Sequence, residues 1–288
     1  MLGILVINKS KGMTSHDVVY HLRNKLKIKK IGHTGTLDPM AEGVLPMCIN
    51  KATKVASYVS NDSKEYVAGL EFGYETDTQD STGKILNRTQ NIPKIEEIKE
   101  VLKEFQGKIL QTPPMFSAIK INGQKLYNLA RKGQVIERPK RQVEIYNLEL
   151  IDEKNLKLKV SCSSGTYIRT LIHDIGIRLD SFCVMKSLVR TKVGIFTIDD
   201  SITLDELKNL SIEEINSKLY PMEEALYYLP KYNVKDYFYD KLLNGIKYYD
   251  NNVDSSIKRI YCKNQFIGIG NFIEGRLKIR ILIWKFYK

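Results

Sequence analysis

Residues 32–39, with the sequence Gly-His-Thr-Gly-Thr-Leu-Asp-Pro, form the stretch of this chain best suited to chemistry. Gly32 and Gly35 permit a tight loop that a ligand can approach closely. Pro39 biases the backbone of Asp38 towards an extended conformation, which predicts a carboxylate held in a loop. Carboxylates can act as nucleophiles or as bases. The structural alternative, which the residues alone leave open, is that Asp38 caps a short helix beginning at Pro39.

Arg169 follows a second stretch of interest, Ser-Ser-Gly-Thr at residues 163–166. Thr166 is expected to cap the helix that comes next, which places Arg169 in the first helical turn. A cation there opposes the positive end of the helix dipole. We therefore expect a carboxylate or phosphate partner for Arg169. The alternative to a functional role is that this partner is an acidic residue unrelated to any site.

Patterns of apolar residues predict the elements that position these two stretches. Thr14 caps a first helix with Asp17 as its capping-box partner, and Pro93 is expected as the first residue of a second helix. A third helix follows Thr166. Alternation predicts strands at residues 66–72 and 156–162, whereas residues 32–46 are expected to hold no long element. Strands and helices mix without a regular βαβ repeat, which favours an α+β fold.

The composition favours a polyanionic partner. The 288 residues include 45 Lys and Arg against 33 Asp and Glu, a net charge of +12. Nucleic acid is the commonest partner of such a chain, although a solvated Lys-rich surface is the alternative.

The cysteine and histidine patterns point away from a metal site. Four well-separated cysteines without a CxxC pair predict buried free thiols in a reducing cytosol. The histidine spacing offers no metal site, and no apolar run is long enough to span a membrane. We expect a cytoplasmic protein that binds neither metal nor membrane.

A boundary is expected near residue 230. Residues 231–288 hold 12 Lys and Arg but 5 Asp and Glu, so this segment carries +7 of the net charge. It is predicted to contain one helix at 236–244 and strands at 259–262, 266–269 and 277–284. A small, basic, β-rich domain attached to a larger one is typical of an accessory domain that binds nucleic acid. The alternative is an extension that completes the main sheet.

The chain resembles the TruB family of pseudouridine synthases. Residues 32–46 resemble the catalytic-aspartate motif of that family, and further segments match at 6–9, 12–15, 64–66, 111–120 and 165–170. The resemblance implies a catalytic domain at 1–230, built on a central, largely antiparallel sheet with an RNA-holding cleft. Residues 231–288 are similar to the PUA-like domain that ends these enzymes. No metal, nucleotide or flavin cofactor is implied.

The family implies a role for each matching residue. Asp38 would be the essential carboxylate that helps to detach uracil from C1′ of its ribose, by attack on C1′ or by proton abstraction from the sugar. Tyr66 would stack on the flipped base and help to remove the C5 proton, and Tyr167 would line the uracil pocket. Arg169 would pair with Asp38, and His33 would stack against the extruded nucleotide.

Two further residues match with less specific roles. Lys9 would contact a phosphate or support a loop, and Leu188 would be an apolar pocket residue. Ordinary burial is the alternative for Leu188, as it is for His33 and Tyr66. The implied substrate is uridine 55 in the T-loop of tRNA, gripped through the T-loop and T-stem by a monomer. Chemistry on a stacked base requires that the base be flipped out.

Three positions depart from the family pattern without removing a catalytic group. Ser10 stands where proline is common, Phe116 where tyrosine is common, and Val189 where arginine is frequent. Two other functions are weighed against tRNA modification. One is a non-catalytic tRNA-binding or folding module, and the other is a guide-RNA-dependent pseudouridine synthase acting on rRNA. A DNA-binding protein is disfavoured because helix-turn-helix and zinc-finger patterns are absent.

Overall fold

The computed structural model describes residues 1–60 and 63–283 of the chain. Its strands are β1 Gly3–Lys9, β2 Ile31–His33, β3 Glu42–Ile49, β4 Lys64–Phe72, β5 Tyr74–Thr76, β6 Ile85–Arg88, β7 Gly107–Gln111, β8 Lys120–Ile121, β9 Gln124–Lys125, β10 Arg141–Asp152, β11 Lys157–Cys162, β12 Cys183–Val193, β13 Phe196–Thr197, β14 Ile202–Thr203, β15 Lys231–Asn233, β16 Lys258–Cys262, β17 Gln265–Ile273 and β18 Arg276–Leu282. Its α-helices are α1 Ser15–Leu26, α2 Ala56–Ser60, α3 Ile95–Glu104, α4 Leu126–Ala130, α5 Ile168–Arg178, α6 Leu204–Asn209, α7 Ile212–Ser217 and α8 Tyr239–Leu243. Short 3₁₀ turns lie at Asn50–Lys54, Glu224–Leu226 and Asp236–Phe238.

A large sheet forms the centre of the fold. Its strands follow the order β14-β1-β3-β12-β4-β11-β10-β7, with β2 paired to β3 and β13 paired to β12. Only the β1–β14 and β3–β12 pairs of this sheet are parallel among the described residues, and both are short. The predicted α+β fold with a largely antiparallel central sheet is therefore confirmed.

Strand β3 was missed by the sequence pattern. Residues 32–46 were expected to hold no long element, yet β3 starts at Glu42 and pairs with β1 from Gly43 to Ile49. Leu45 and Met47 pack into a core on one face of the sheet, and Val44 and Cys48 pack into a second core on the other face. A strand buried on both faces has no polar alternation to reveal it, and this explains the error.

The helices begin close to where the sequence placed them. The capping box of Thr14 and Asp17 at the start of α1 is confirmed. The start of α3 was predicted two residues early, because Lys94 rather than Pro93 precedes its first residue as the cap. The cap of α5 is Tyr167 and not Thr166, whose hydroxyl instead donates to the Ser163 carbonyl.

The C-terminal segment folds as a sheet of its own, in the order β15-β16-β17-β18. The alternative, an extension that completes the main sheet, is wrong for the described residues. The predicted helix 236–244 is a 3₁₀ turn followed by α8, and the predicted strand 277–284 corresponds to β18, with Trp284 outside the described residues. Tyr261, Phe266 and Ile269 pack into the same core as Val44, so the two sheets share buried surface. None of the described helices is long and apolar enough to span a membrane.

Candidate active site

Asp38 lies in a loop between β2 and β3 that lines a cavity of about 950 Å³. The loop is tied to the N-terminal segment at two points. The Ser15 hydroxyl donates to the Leu37 carbonyl at 3.2 Å and accepts from the Leu37 amide at 2.8 Å, and the Gly12 amide donates to the Pro39 carbonyl at 2.8 Å. Residues 39 and 40 form a turn rather than a helix, so the helix-capping alternative for Asp38 is wrong.

Arg169 joins three segments around the Asp38 carboxylate. Its Nε lies 2.9 Å from Asp38 Oδ2, its Nη1 donates to the Thr78 carbonyl at 2.9 Å, and its Nη2 donates to the Phe116 carbonyl at 2.9 Å. Its side chain is 5% exposed, whereas that of Asp38 is 37% exposed towards the cavity. The expected partner of a cation in the first turn of α5 is thus a carboxylate. The arrangement fixes one oxygen of Asp38 and leaves the group accessible to a ligand.

Asp80, a residue without a predicted role, lies in a buried turn next to Arg169. Asp80 Oδ2 lies 3.6 Å from Arg169 Nη1. Its Oδ1 accepts hydrogen bonds from the hydroxyls of Thr78 and Thr82 at 2.8 and 2.6 Å. The available signal was an aspartate with threonine two residues away on each side, a pattern typical of a side-chain-stabilised turn.

Gln111 fixes the start of α5. Its side-chain amide donates to the Tyr167 carbonyl at 3.0 Å and accepts from the Tyr167 amide at 2.8 Å, while the residue itself is 2% exposed. The amide therefore substitutes for a backbone partner at the helix cap. Tyr167 lines the cavity, and burial raises the pKa of its hydroxyl above the usual value.

Tyr66 and Leu188 lie on the floor of the cavity, on the neighbouring strands β4 and β12. Arg190 is the register partner of Tyr66 and shares the buried face of β12 with Leu188. Burial raises the pKa of Tyr66 to about 12, and the Arg190 guanidinium opposes that rise. Arg190 had no predicted role, although an arginine two residues from an inward-facing leucine on a strand must point the same way.

Two predicted site residues lie behind the cavity wall. Lys9 is fully buried, and its Nζ donates to the carbonyls of Ser10 and Met13 at 3.0 and 2.8 Å. This geometry matches the loop-supporting role and not the phosphate contact. His33 is half-buried at the end of β2, next to cavity residue Thr34, and its Nδ1 is buried without a hydrogen-bond partner within the described ranges. Burial lowers the pKa of His33.

The departures from the family pattern leave these contacts intact. Phe116 and Ser10 contribute their backbone carbonyls, which do not depend on the side chain. The four cysteines are buried free thiols, as predicted, and burial raises the pKa of Cys48 to about 12. Within residues 1–60 and 63–283, no cluster of three metal-ligating side chains was found.

Comparison with known proteins identifies relatives for most of the chain. A family model described as TruB family pseudouridylate synthase (N terminal domain) matches residues 23–168, and one described as tRNA pseudouridylate synthase B C-terminal domain matches 169–227. Proteins named tRNA pseudouridine synthase B from Bacillus pumilus and Clostridium tetani are 47% and 42% identical to this chain in the matched regions. The first match covers 84% of this chain and 82% of the relative, and the second covers 97% and 98%.

Solved structures give the same fold. The chain is similar to a protein in the crystal structure of a Cbf5–Nop10–Gar1 complex, with a TM-score of 0.74 and 26% identity over 98% of this chain and 84% of that one. An archaeal box H/ACA Nop10–Cbf5 complex gives a TM-score of 0.73 at 26% identity, over 98% of this chain and 86% of the matched one. The predicted synthase fold with a small C-terminal sheet domain is confirmed.

Proposed function

We propose that this chain, which belongs to the TruB family of pseudouridine synthases and isomerises uridine in tRNA to pseudouridine, uses Asp38 as its catalytic carboxylate. The observation that carries the proposal is the 2.9 Å ion pair between Asp38 and the buried Arg169 at the edge of a cavity. A buried guanidinium that pairs with a carboxylate holds it in one orientation. An oriented and accessible carboxylate is suited to attack C1′ or to take a proton from the sugar.

The cavity suits a base that has been flipped out of a helix. Tyr66 and Leu188 offer an aromatic and an apolar surface on its floor, and Tyr167 offers a second ring at its side. Such side chains replace the stacking that a flipped base loses. Detached uracil can turn between them and rejoin the ribose through C5. We assign uridine 55 of the T-loop as the target, since the motif residues match the family that modifies this position.

The rest of the RNA is held outside the cavity. Residues 1–230 form the catalytic domain in this proposal, and residues 231–288, with their charge of +7, form a PUA-like domain that contacts tRNA phosphates. The excess of Lys and Arg over the whole chain adds a sequence-independent attraction to the T-stem. We expect the protein to act as a monomer, in the cytoplasm, where its tRNA substrate is available.

Guide-RNA-dependent modification of rRNA is the second candidate, favoured by the likeness to the Cbf5 complexes. The relatives named tRNA pseudouridine synthase B are more similar to this chain, at 41–47% identity against 26%. Activity of the purified chain on bare tRNA transcript, without guide RNA or partner proteins, would decide for the first candidate.

The proposal is tested with tRNA transcript that carries tritium at C5 of its uridines. Wild-type protein is expected to release one tritium per tRNA, and Asp38→Asn, which keeps the size of the side chain, is expected to release none while still binding tRNA. Release by Asp38→Asn at the wild-type rate would refute the role of Asp38. A folded wild type that binds tRNA without release would favour the binding or folding module instead.

A further inference from the structure

Arg190 is the largest fully buried side chain among the residues that the structure describes, at 2% exposure. A buried guanidinium normally has a carboxylate partner, because burying an unpaired charge is costly. None of the salt bridges found among the described residues involves Arg190. The cation therefore lies at the cavity wall without a compensating negative charge.

The hydrogen-bond partners of Arg190 are neutral, and they lie on either side of Asp38 in the chain. Its Nε donates to the Val44 carbonyl at 2.8 Å and its Nη2 donates to the Gly35 carbonyl at 3.2 Å. These carbonyls flank the loop that carries Asp38. Arg190 is also the register partner of Tyr66 in the β4–β12 pair, and the guanidinium and the Tyr66 hydroxyl act on each other's pKa.

Tyr66 is the acidic group that can supply the missing negative charge. Its hydroxyl is buried beside Arg190, with Cys162 and Asp38 as the other titratable groups that act on it. Cys162 is a neutral thiol, since burial raises its pKa to about 11. Asp38 is already paired with Arg169. A phenolate at Tyr66 would thus be stabilised mainly by Arg190, and loss of Arg190 would make it harder to form.

We propose that Arg190 is a positioning residue that acts through Tyr66, by stabilising the phenolate that removes the C5 proton. The inference rests on the proposed function. Tyr66 releases its proton to water before the step. After C5 has bonded to C1′, the C5 proton passes to the phenolate oxygen. The C5–H electron pair forms the C5=C6 double bond, the former C6=N1 pair moves to N1, and N1 takes a proton from water.

The test measures single-turnover pseudouridine formation on tRNA with hydrogen or deuterium at uridine C5, between pH 6 and 9. Arg190→Met is expected to slow the reaction by roughly 10- to 100-fold, because the phenolate of Tyr66 loses its cationic neighbour and becomes harder to form. The deuterium isotope effect should increase, the loss should shrink as the pH rises, and tRNA affinity should stay within about twofold of wild type. Arg178→Met is the control, because Arg178 pairs with Glu104 on the surface of residues 1–230 and does not line the cavity.

A double-mutant cycle separates action through Tyr66 from support of the loop. In a Tyr66→Phe background, Arg190→Met is expected to cause little further loss, because the group it acts through is gone. An equal loss with and without Tyr66→Phe, or a slower reaction with an unchanged isotope effect, would overturn the proposal. If Arg190→Met does not fold, Arg190→Gln takes its place in the same cycle, since glutamine removes the cation but keeps an amide donor for a backbone carbonyl. A wild type that releases nothing from C5 would refute the proposed function and this step with it.

Discussion

Replacement of Arg169 by lysine tests whether the geometry of the guanidinium, and not only its charge, sustains catalysis. The arginine bonds to Asp38, Thr78 and Phe116 through three different nitrogen atoms, each at 2.9 Å. Lysine offers a single ammonium group at the end of a flexible chain, so it can reach one of these three acceptors well. The site is closed to compensating water, because Arg169 is 5% exposed.

The expected loss follows from the contacts that lysine cannot make. Two hydrogen bonds from a charged donor are lost, each worth about 1.5–3 kcal/mol. The lower limit, about 3 kcal/mol, corresponds to a fall in kcat of roughly 150-fold if the contacts orient Asp38 in the transition state. The affinity for tRNA should change little, because Arg169 is shielded from bulk solvent and is paired within the protein.

The assay is single-turnover tritium release from C5-labelled tRNA, with filter binding for affinity and circular dichroism for folding. Arg178→Lys is the control on the same helix, since Arg178 pairs with Glu104 on the surface and should tolerate lysine. A folded Arg169→Lys protein that loses less than about tenfold in rate would refute this reasoning, because charge alone would then suffice.

Three further predictions concern residues around the site. Gln111→Leu removes both partners of the Tyr167 backbone and should lower the free energy of unfolding by about 2–4 kcal/mol, measured in urea; an unchanged midpoint would contradict it. Lys9→Met should lower kcat roughly tenfold or more by loosening the loop. It should leave tRNA affinity and its salt dependence as in wild type, with Lys11→Met, at an exposed position, as the control. A shallower salt dependence for Lys9→Met would instead indicate that Lys9 contacts a phosphate. Hydrogen bonds to Asp174 and Glu75 raise the pKa of His173, so their stabilisation is present below its unfolded pKa and is lost as the pH rises through the higher folded pKa. Unfolding free energies measured at pH 6 and pH 8 should therefore differ less in His173→Gln than in wild type, and an equal difference would count against the linkage.

The sequence predicted the elements whose signal is local. The Thr14–Asp17 capping box and the alternation from Tyr66 to Leu70 depend on near neighbours in the chain, and both appear in the structure. Strand β3 was missed because it is buried on both faces, so its pattern is a continuous apolar run. The cap of α5 was displaced by one residue because Gln111, far away in sequence, satisfies the backbone of Tyr167. Long-range partners of this kind leave no periodic trace.

The candidate site divides in the same way. Asp38 and Arg169 carried local signals, an aspartate before a proline and a cation at the wrong end of a helix, and the structure brings the two together. Asp80 and Arg190 support the site through partners that are far away in sequence: Asp80 Oδ2 lies 3.6 Å from Arg169 Nη1, and Arg190 donates to the Val44 carbonyl. Local patterns can indicate a turn at Asp80 and an inward-facing side chain at Arg190, but not these contacts. The position of Arg190 opposite Tyr66 depends on the strand register.

Burial of cations around the Asp38 loop has a physical cause. An irregular buried loop leaves carbonyls that no neighbouring strand or helix can satisfy, and such groups must find donors. Lys9, Arg169 and Arg190 all donate to carbonyls of irregular segments, those of Met13, Thr78 and Gly35 respectively, in place of a regular hydrogen-bond ladder. The arrangement has a cost: burial lowers the pKa of Lys9 to about 8, which means that the folded state disfavours its charge. Part of the excess of Lys and Arg therefore holds the catalytic loop in place and is not available to bind RNA. The positive charge on the surface that can attract phosphate is accordingly smaller than the net charge of +12.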